Sequence, residues 1–444
     1  MTQWLFKQID NTGLVLWRAV FGLLITLEAF GAIATGWVRH TLIEPDFTFN
    51  FIGLDFLQPL PGNGMHLYFA VMGIFGIGVM LGYRYKWSML GYALMWMGVY
   101  LMQKTSYNNH YYLMMLLCWL MVFLPANRWF SLDAKRDPNL KSNKVSRWVY
   151  VFVIFQLWIV YTYATVAKIY PSWLDGTVTA LFMRSKGDYW LIGPFLQKHW
   201  VHMAMAYFGI FFDLLIVPAM LWKRTRLLAF GISIFFHLSN SIVFQIGIFP
   251  YMSLAFGFFF FSPQTLIKRF LPNKELYTAD EVIVPSYRKP LLICFSIYFL
   301  FQIGLPLRHW FFKDDVLWTE EGHRLSWRMM LRSRSGNLIM WVEDKATGQR
   351  DNYNYRALLS KKQRTRVQSK PDMIWQLAQR IEQVEKENGR DVAVYATSRV
   401  KINGGFYHAF IDPEVDLAAE EWQHFKHHDW ILPSPPDYFS KAEQ

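Results

Sequence analysis

Charge is scarce in this chain. Only 18% of its 444 residues are Asp, Glu, Lys or Arg, against about 25% in an ordinary soluble domain. Two cysteines in that length exclude a disulfide-built secreted scaffold. Cys118 and Cys294 both lie in apolar runs and are expected to be unpaired and buried. The chain has no phosphate-binding Gly loop, no GxGxxG after a strand and no GxSxG, HExxH or CxxC. Phosphate and nicotinamide chemistry therefore has no motif behind it. His424, His427 and His428 cluster without an evident further ligand, so no metal is expected. Apolar residues are abundant instead. The chain is 53% hydrophobic, with 38 Phe and 20 Trp, which excludes disorder.

The apolar residues come in long blocks. They cover about Gly13–Trp37, Met65–Tyr83, Trp87–Met102, Tyr111–Pro125, Trp148–Ala167, Val201–Trp222, Leu227–Gln245, Tyr251–Phe261 and Leu291–Leu305. Most approach the roughly 20 residues that cross a bilayer as a helix. The reading is a polytopic α-helical membrane protein with about nine spans. The first block is too long for a cleaved leader and is expected to be a span. Basic residues set the orientation. With a cytoplasmic N-terminus, the inner connections hold 17 Lys and Arg and the outer ones 6, which follows the positive-inside rule. The net charge of +12 thus reads largely as topology, and no nucleic-acid partner is expected. The lipid bilayer is the expected partner.

Composition changes after about residue 305. Asn337–Val342 and Asp351–Tyr355 flank Ala346-Thr347-Gly348-Gln349 and read as a hairpin. Ile374, Leu377, Ile381 and Val384 form the stripe of a helix with Ser369 as its cap, Pro371 in its first turn and Gly389 after it. Val392–Lys401 and Phe406–Phe410 flank Asn403-Gly404-Gly405, a second hairpin. The expected division is a helical catalytic part, 1–305, and a non-cytoplasmic, substrate-facing α+β domain, 306–444.

Ionisable residues inside spans are costly and are functional candidates by default. Arg18, Glu28, Lys168, Asp213 and His237 qualify. Arg18 reads as a side chain that snorkels from near a span end. Glu28 and Asp213 are equally compatible with packing or gating. Lys168 closes the run Tyr161–Ala167. It reads either as an interfacial anchor or as an amine whose neutral form is favoured by an apolar wall. The run Lys104-Thr105-Ser106-Tyr107-Asn108-Asn109-His110 begins a helix. A cap explains an Asn or Ser there but accounts less well for His110.

These residues resemble a known family. Lys104–Leu113 is similar to the "KTSxNNHxYL" run of the vitamin K-dependent γ-glutamyl carboxylases. So are Ile159–Lys168 with Ser172–Gly176, Phe236–Ala255 with its His237 and Asn240, Ser326–Ser335 ("SWxMMxxSRS") and Phe410–Asp416. The order holds from about Trp17 to Trp430. The resemblance implies a vitamin K hydroquinone cofactor, with O2 and CO2 as co-substrates. It implies a glutamate-containing protein or peptide as substrate, with γ-carboxyglutamate and quinone epoxide as products. Lys168 then corresponds to the weak base that deprotonates the hydroquinone. His110 and Asn109 would hydrogen-bond its oxygen, and His237 and Asn240 would help to hold it. Trp327, Arg332 and Arg334 would hold the substrate glutamate.

Animal members have a lysine pair where this chain has Ala167-Lys168. They have Asp and His where it has Arg328 and Arg332, and they extend further. Epoxidation without carboxylation is the alternative these differences leave open. A non-enzymatic quinone or lipid carrier is the reading from another class. The short form points to a bacterial homologue. Its outer domain would lie in the periplasm, or in the endoplasmic reticulum lumen of a eukaryote.

Overall fold

The computed structural model describes residues 2–329 and 331–438. Met330 of the Ser326–Ser335 run and residues 439–444 lie outside them. In chain order the helical part comprises α1 (Thr12–Ala34), α2 (Gly64–Leu81), α3 (Tyr85–Met102), α4 (Asn109–Phe123), α5 (Trp148–Val166), α6 (His199–Leu221), α7 (Arg226–Phe244), α8 (Phe249–Ala255) and α9 (Arg288–Leu307). Among the described residues, α1, α2, α5, α6, α7 and α9 are long and apolar enough to cross a membrane. Six of the nine apolar blocks are thus helices of span length. The other three blocks fall short for local reasons. Helix α3 mixes Lys86, Ser88 and several aromatics into its run. Helix α4 has 15 residues, and α8 has seven before it tightens into a 3-10 turn.

Helices α1 and α2 pack closely because a Cβ on Gly22 would collide with the Met80 backbone. Arg18 does not snorkel. It is fully buried and donates to the Phe130 carbonyl. At this end a short ribbon pairs β1 (Gln8–Asp10) antiparallel with β2 (Lys144–Ser146). The buried pair Lys274–Asp10, 2.9 Å, adds the α8–α9 connection. The Asp133 carboxylate accepts the Arg84 and Tyr85 N–H groups at 2.8 and 2.9 Å, which closes the α2–α3 turn. Cys118 is buried as expected, but Cys294 is exposed on α9. An apolar neighbourhood in sequence implies burial only when protein, not lipid, faces it.

The remainder contains a four-stranded antiparallel sheet. Strands β3 (Arg334–Asp344), β4 (Arg350–Tyr353), β5 (Val392–Ile402) and β6 (His408–Ile411) lie in the order β4-β3-β5-β6. Both expected hairpins form. In β3, Leu338, Met340 and Val342 are buried and Ile339 is exposed, as a period of two requires. Helix α10 (Pro371–Glu387) lays Ile374, Leu377 and Ile381 on the sheet. Lys370, not Ser369, is its N-cap.

This part docks on the far end of the helices. Lys104 and Arg324 converge on Asp372 at 2.7 and 3.0 Å. Gln376 donates to Asn50 Oδ1 at 3.1 Å, and Lys362 to Ser106 at 2.7 Å. Burial alone would raise the Asp372 carboxyl, but Arg324 and Lys104 hold it well below the usual range. His428 sits between Trp422 and Trp430, with ring centroids 4.2 and 5.2 Å away. Burial pushes its imidazole down to about 4. The unfolded chain takes up that proton near pH 6.5, the folded chain only near 4. Acidification across this window therefore favours unfolding. Thermal midpoints are expected to fall between pH 6.5 and 4, and to fall less in His428→Gln.

Candidate active site in the helical part

Lys168 is placed by the end of α5. The residue before a proline avoids helical geometry, and Tyr170, before Pro171, is extended. The helix therefore stops at Val166, and Lys168 lies in the turn that follows. Its Nζ folds back to the Ala164 carbonyl at 3.2 Å and pairs with Asp213 on α6. Both side chains are at least nine-tenths buried. Nζ also lies 5.7 Å from the Trp173 ring centroid.

The run before α4 divides into three roles. Asn108 is the helix cap, its Oδ1 accepting the Tyr111 N–H at 2.7 Å. Asn109 accepts from Tyr107 OH at 3.0 Å and donates to the Arg328 carbonyl at 2.9 Å, which ties this helix start to the sheet-containing part. His110 stacks on Phe249 of α8, centroids 3.8 Å apart. His237, on α7, lies with Nε2 3.4 Å from Tyr161 OH. Its buried Nδ1 has no protein partner among the described residues.

These groups share one cavity of about 520 Å³. Lys168, Asp213, His110, His237 and Asn240 line it, among aromatics that include Trp173, Phe208, Phe235, Phe236 and Phe249. Four of the expected site residues thus meet, although they come from α4, α7 and the turn after α5. Phe195, Phe208 and Phe235 on the wall are also exposed, so this side lies open. The cavity suits a flat apolar ring with a few polar atoms, because a small polar set in an aromatic lining orients such a ligand.

The remaining expected residues lie elsewhere. Trp327 is fully buried and stacks on Tyr112 at 4.7 Å. Its φ of +56° is one that side chains rarely adopt. Arg332 pairs with Glu320. Arg334 donates to the carbonyls of Leu317 and Trp318 at 2.8 and 2.6 Å. Among the described residues of this run, only Met329 reaches the cavity wall. The nest around Glu320 also contains Lys370, and Arg334 stands 3.8 Å from it. Three cations thus face one carboxylate. Burial pushes the Arg332 and Arg334 guanidiniums down to about 9, and both remain charged at neutral pH. Arg332 Nε and one Arg334 terminal nitrogen have no partner among the described residues.

The two halves match separate family models. Residues 6–264 match the HTTM domain, and residues 287–437 match the lumenal domain of vitamin K-dependent gamma-carboxylase. The chain belongs to the vitamin K-dependent gamma-carboxylase family. No solved structure matches it. Membership supports an enzymatic role and is consistent with vitamin K hydroquinone as cofactor. The hydroquinone fits the cavity by its aromatic lining and by the orphaned His237 Nδ1. No group of three or more His, Cys, Asp or Glu positioned for a metal occurs among the described residues.

In this carboxylase-family chain, Asp213 is the residue that sequence reasoning left undecided. Its position in a span made it a candidate. Nothing in the linear order pairs it with Lys168, 45 residues earlier.

Proposed function

We propose that the protein is a vitamin K-dependent γ-glutamyl carboxylase, with residues 1–305 as the catalytic part and 306–444 facing the peptide. The observation that carries this reading is a buried lysine on the wall of an aromatic cavity in the helical part. When bound there, the hydroquinone supplies with O2 the strong base that removes a glutamate γ-proton before CO2 adds. The chain's own residues prepare that chemistry. Lys168 Nζ accepts a proton from the ligand, acting as a general base in a dry site. His110, His237 and Asn240 are hydrogen-bonding groups toward the ligand's oxygens, and Asn109 fixes the start of α4 that carries His110. The aromatic wall excludes water, and its open side admits a lipid-soluble molecule.

The Arg332, Arg334 and Lys370 nest has a surplus of positive charge, which suits a substrate carboxylate. Trp327 holds the run that carries it. One observation favours a second reading, epoxidation without carboxylation. Glu320 already occupies Arg332, so a peptide glutamate must displace or join it.

One assay separates these readings. Purified protein in nanodiscs receives reduced vitamin K, O2, labelled CO2 and a glutamate-containing peptide. Quinone epoxide and labelled γ-carboxyglutamate together are the expected result. Epoxide alone selects the second reading. Bound quinone with neither product makes the protein a carrier.

The reading includes a topology of nine passages, with a cytoplasmic N-terminus and the outer part in the periplasm or a lumen. The basic-residue bias supports it. So does the alternation of contacts. Tyr170, Lys104 and Asn50 meet the outer part, whereas the N-terminal ribbon and the α2–α3 turn gather at the other end. In a Cys294→Ser background, Ala346→Cys is expected to react with an impermeant maleimide on intact cells. Labelling only after lysis overturns this orientation.

A further inference from the structure

Lys168 presents a difficulty if it is read as a base acting alone. An ammonium has three donors and no acceptor. The Lys168 amine points one N–H at the Ala164 carbonyl and another at Asp213. Lys168 also lines the cavity. Because Nζ already contacts the carboxylate, a proton that reaches the nitrogen has an acceptor beside it. Asp213 carries the second lone-pair system, it lines the same cavity, and it is as buried as the lysine.

We propose that Lys168 and Asp213 work as one proton relay in which the carboxylate of Asp213 is where the proton comes to rest. The inference rests on the assignment of Lys168 as the residue facing the hydroquinone. The balance is simple. The ligand's O–H bond breaks as Lys168 passes its N–H proton to Asp213 Oδ2, and a new N–H bond forms on the nitrogen. Lys168 ends as it began, an ammonium. Asp213 ends as a neutral acid. The ligand oxygen has become an anion that faces that ammonium.

This arrangement answers an electrostatic problem. A lone charge in a low-dielectric cavity is strongly disfavoured. Before transfer, ammonium and carboxylate cancel. After transfer, ammonium and ligand anion cancel. The cavity is neutral throughout, and no ion has to enter from water. Asp213 acts through Lys168, as a positioning and proton-holding residue.

The test is an infrared difference spectrum of anaerobic protein in nanodiscs, with vitamin K hydroquinone against without it. Oxygen is absent, so no turnover contributes. Binding is expected to raise a protonated-carboxyl C=O band in the wild type. Asp213→Asn should lack that band and bind the hydroquinone within about threefold of wild type. In the epoxidation assay its KM should hold while kcat falls about 100-fold or more, the scale of a lost general base. Asp213→Glu, which keeps a carboxylate in reach, should recover the band and part of kcat. A purely packing role for Asp213 predicts no band in the wild type.

The outcomes separate this inference from the functional reading beneath it. Turnover without the band, or wild-type kcat in Asp213→Asn, overturns the relay and leaves the carboxylase reading standing. The band without turnover keeps the relay and removes the epoxidation reading. Neither band nor turnover, with hydroquinone bound, removes both.

Discussion

Lys168→Ala is expected to lose epoxide formation by a factor of about 10²–10⁴, the usual contribution of a positioned general base, while still binding the quinone. The aromatic wall, His110, His237 and Asn240 remain to hold it. The substitution has a second expected effect. It leaves Asp213 buried without its cation, and breaking a buried pair on one side costs about 3–5 kcal/mol. The double variant Lys168→Ala, Asp213→Asn removes both charges. It should recover most of the stability and none of the turnover. Epoxide measured by chromatography, with thermal midpoints in the same detergent, checks both halves. Near-wild-type turnover in the folded single variant would sink the base assignment, whatever the stability shows.

Glu320→Gln is expected to be strongly destabilising for the sheet-containing part. The side chain keeps its shape and loses its charge. Arg332, Arg334 and Lys370 then face one another without an anion. All three side chains are at most 16% exposed, so water does little to screen them. Burial already pushes Lys370 well below its usual range, and the neighbouring guanidiniums push it further. A loss of about 3–5 kcal/mol follows from removing the carboxylate of such a cluster. The thermal midpoint should drop accordingly. An added short dicarboxylate or glutamate peptide should raise it again if the nest accepts a substrate carboxylate. Destabilisation without such rescue would mean that Glu320 serves the fold alone. An unchanged midpoint would remove the nest from the stability argument altogether.

Several features were legible in the linear order for plain reasons. Blocks of apolar residues near the span length carried the helical membrane part, because lipid leaves a backbone no partner but itself. Period-two runs around Gly348 and Gly404 carried the two hairpins, since only a strand alternates in that way. Family-like runs marked His110, Lys168, His237 and Asn240 without saying that they meet.

Other features were decided only in three dimensions. Helices α4 and α8 carry apolar blocks that are short as helices, and block length does not reveal where a turn tightens. Arg18 looked like a snorkelling side chain, but the Phe130 carbonyl captures it. A carbonyl 112 residues away leaves no mark in a local pattern. Cys294 was expected inside and faces outward, because composition cannot distinguish lipid from protein as the apolar neighbour. Arg332 read as free to grip a substrate, whereas Glu320 already holds it.

The sequence by itself determined that this protein is an apolar, multi-helix membrane chain with a separate sheet-forming end. Only the tertiary structure decided that Lys168, in the turn after α5, is paired with Asp213 of α6, inside a cavity that α4, α5, α6 and α7 build together. The physical reason is range. Hydrophobic periodicity and turn chemistry act over a few residues and are written in the chain, whereas the partner of a buried charge is set by which helices pack side by side.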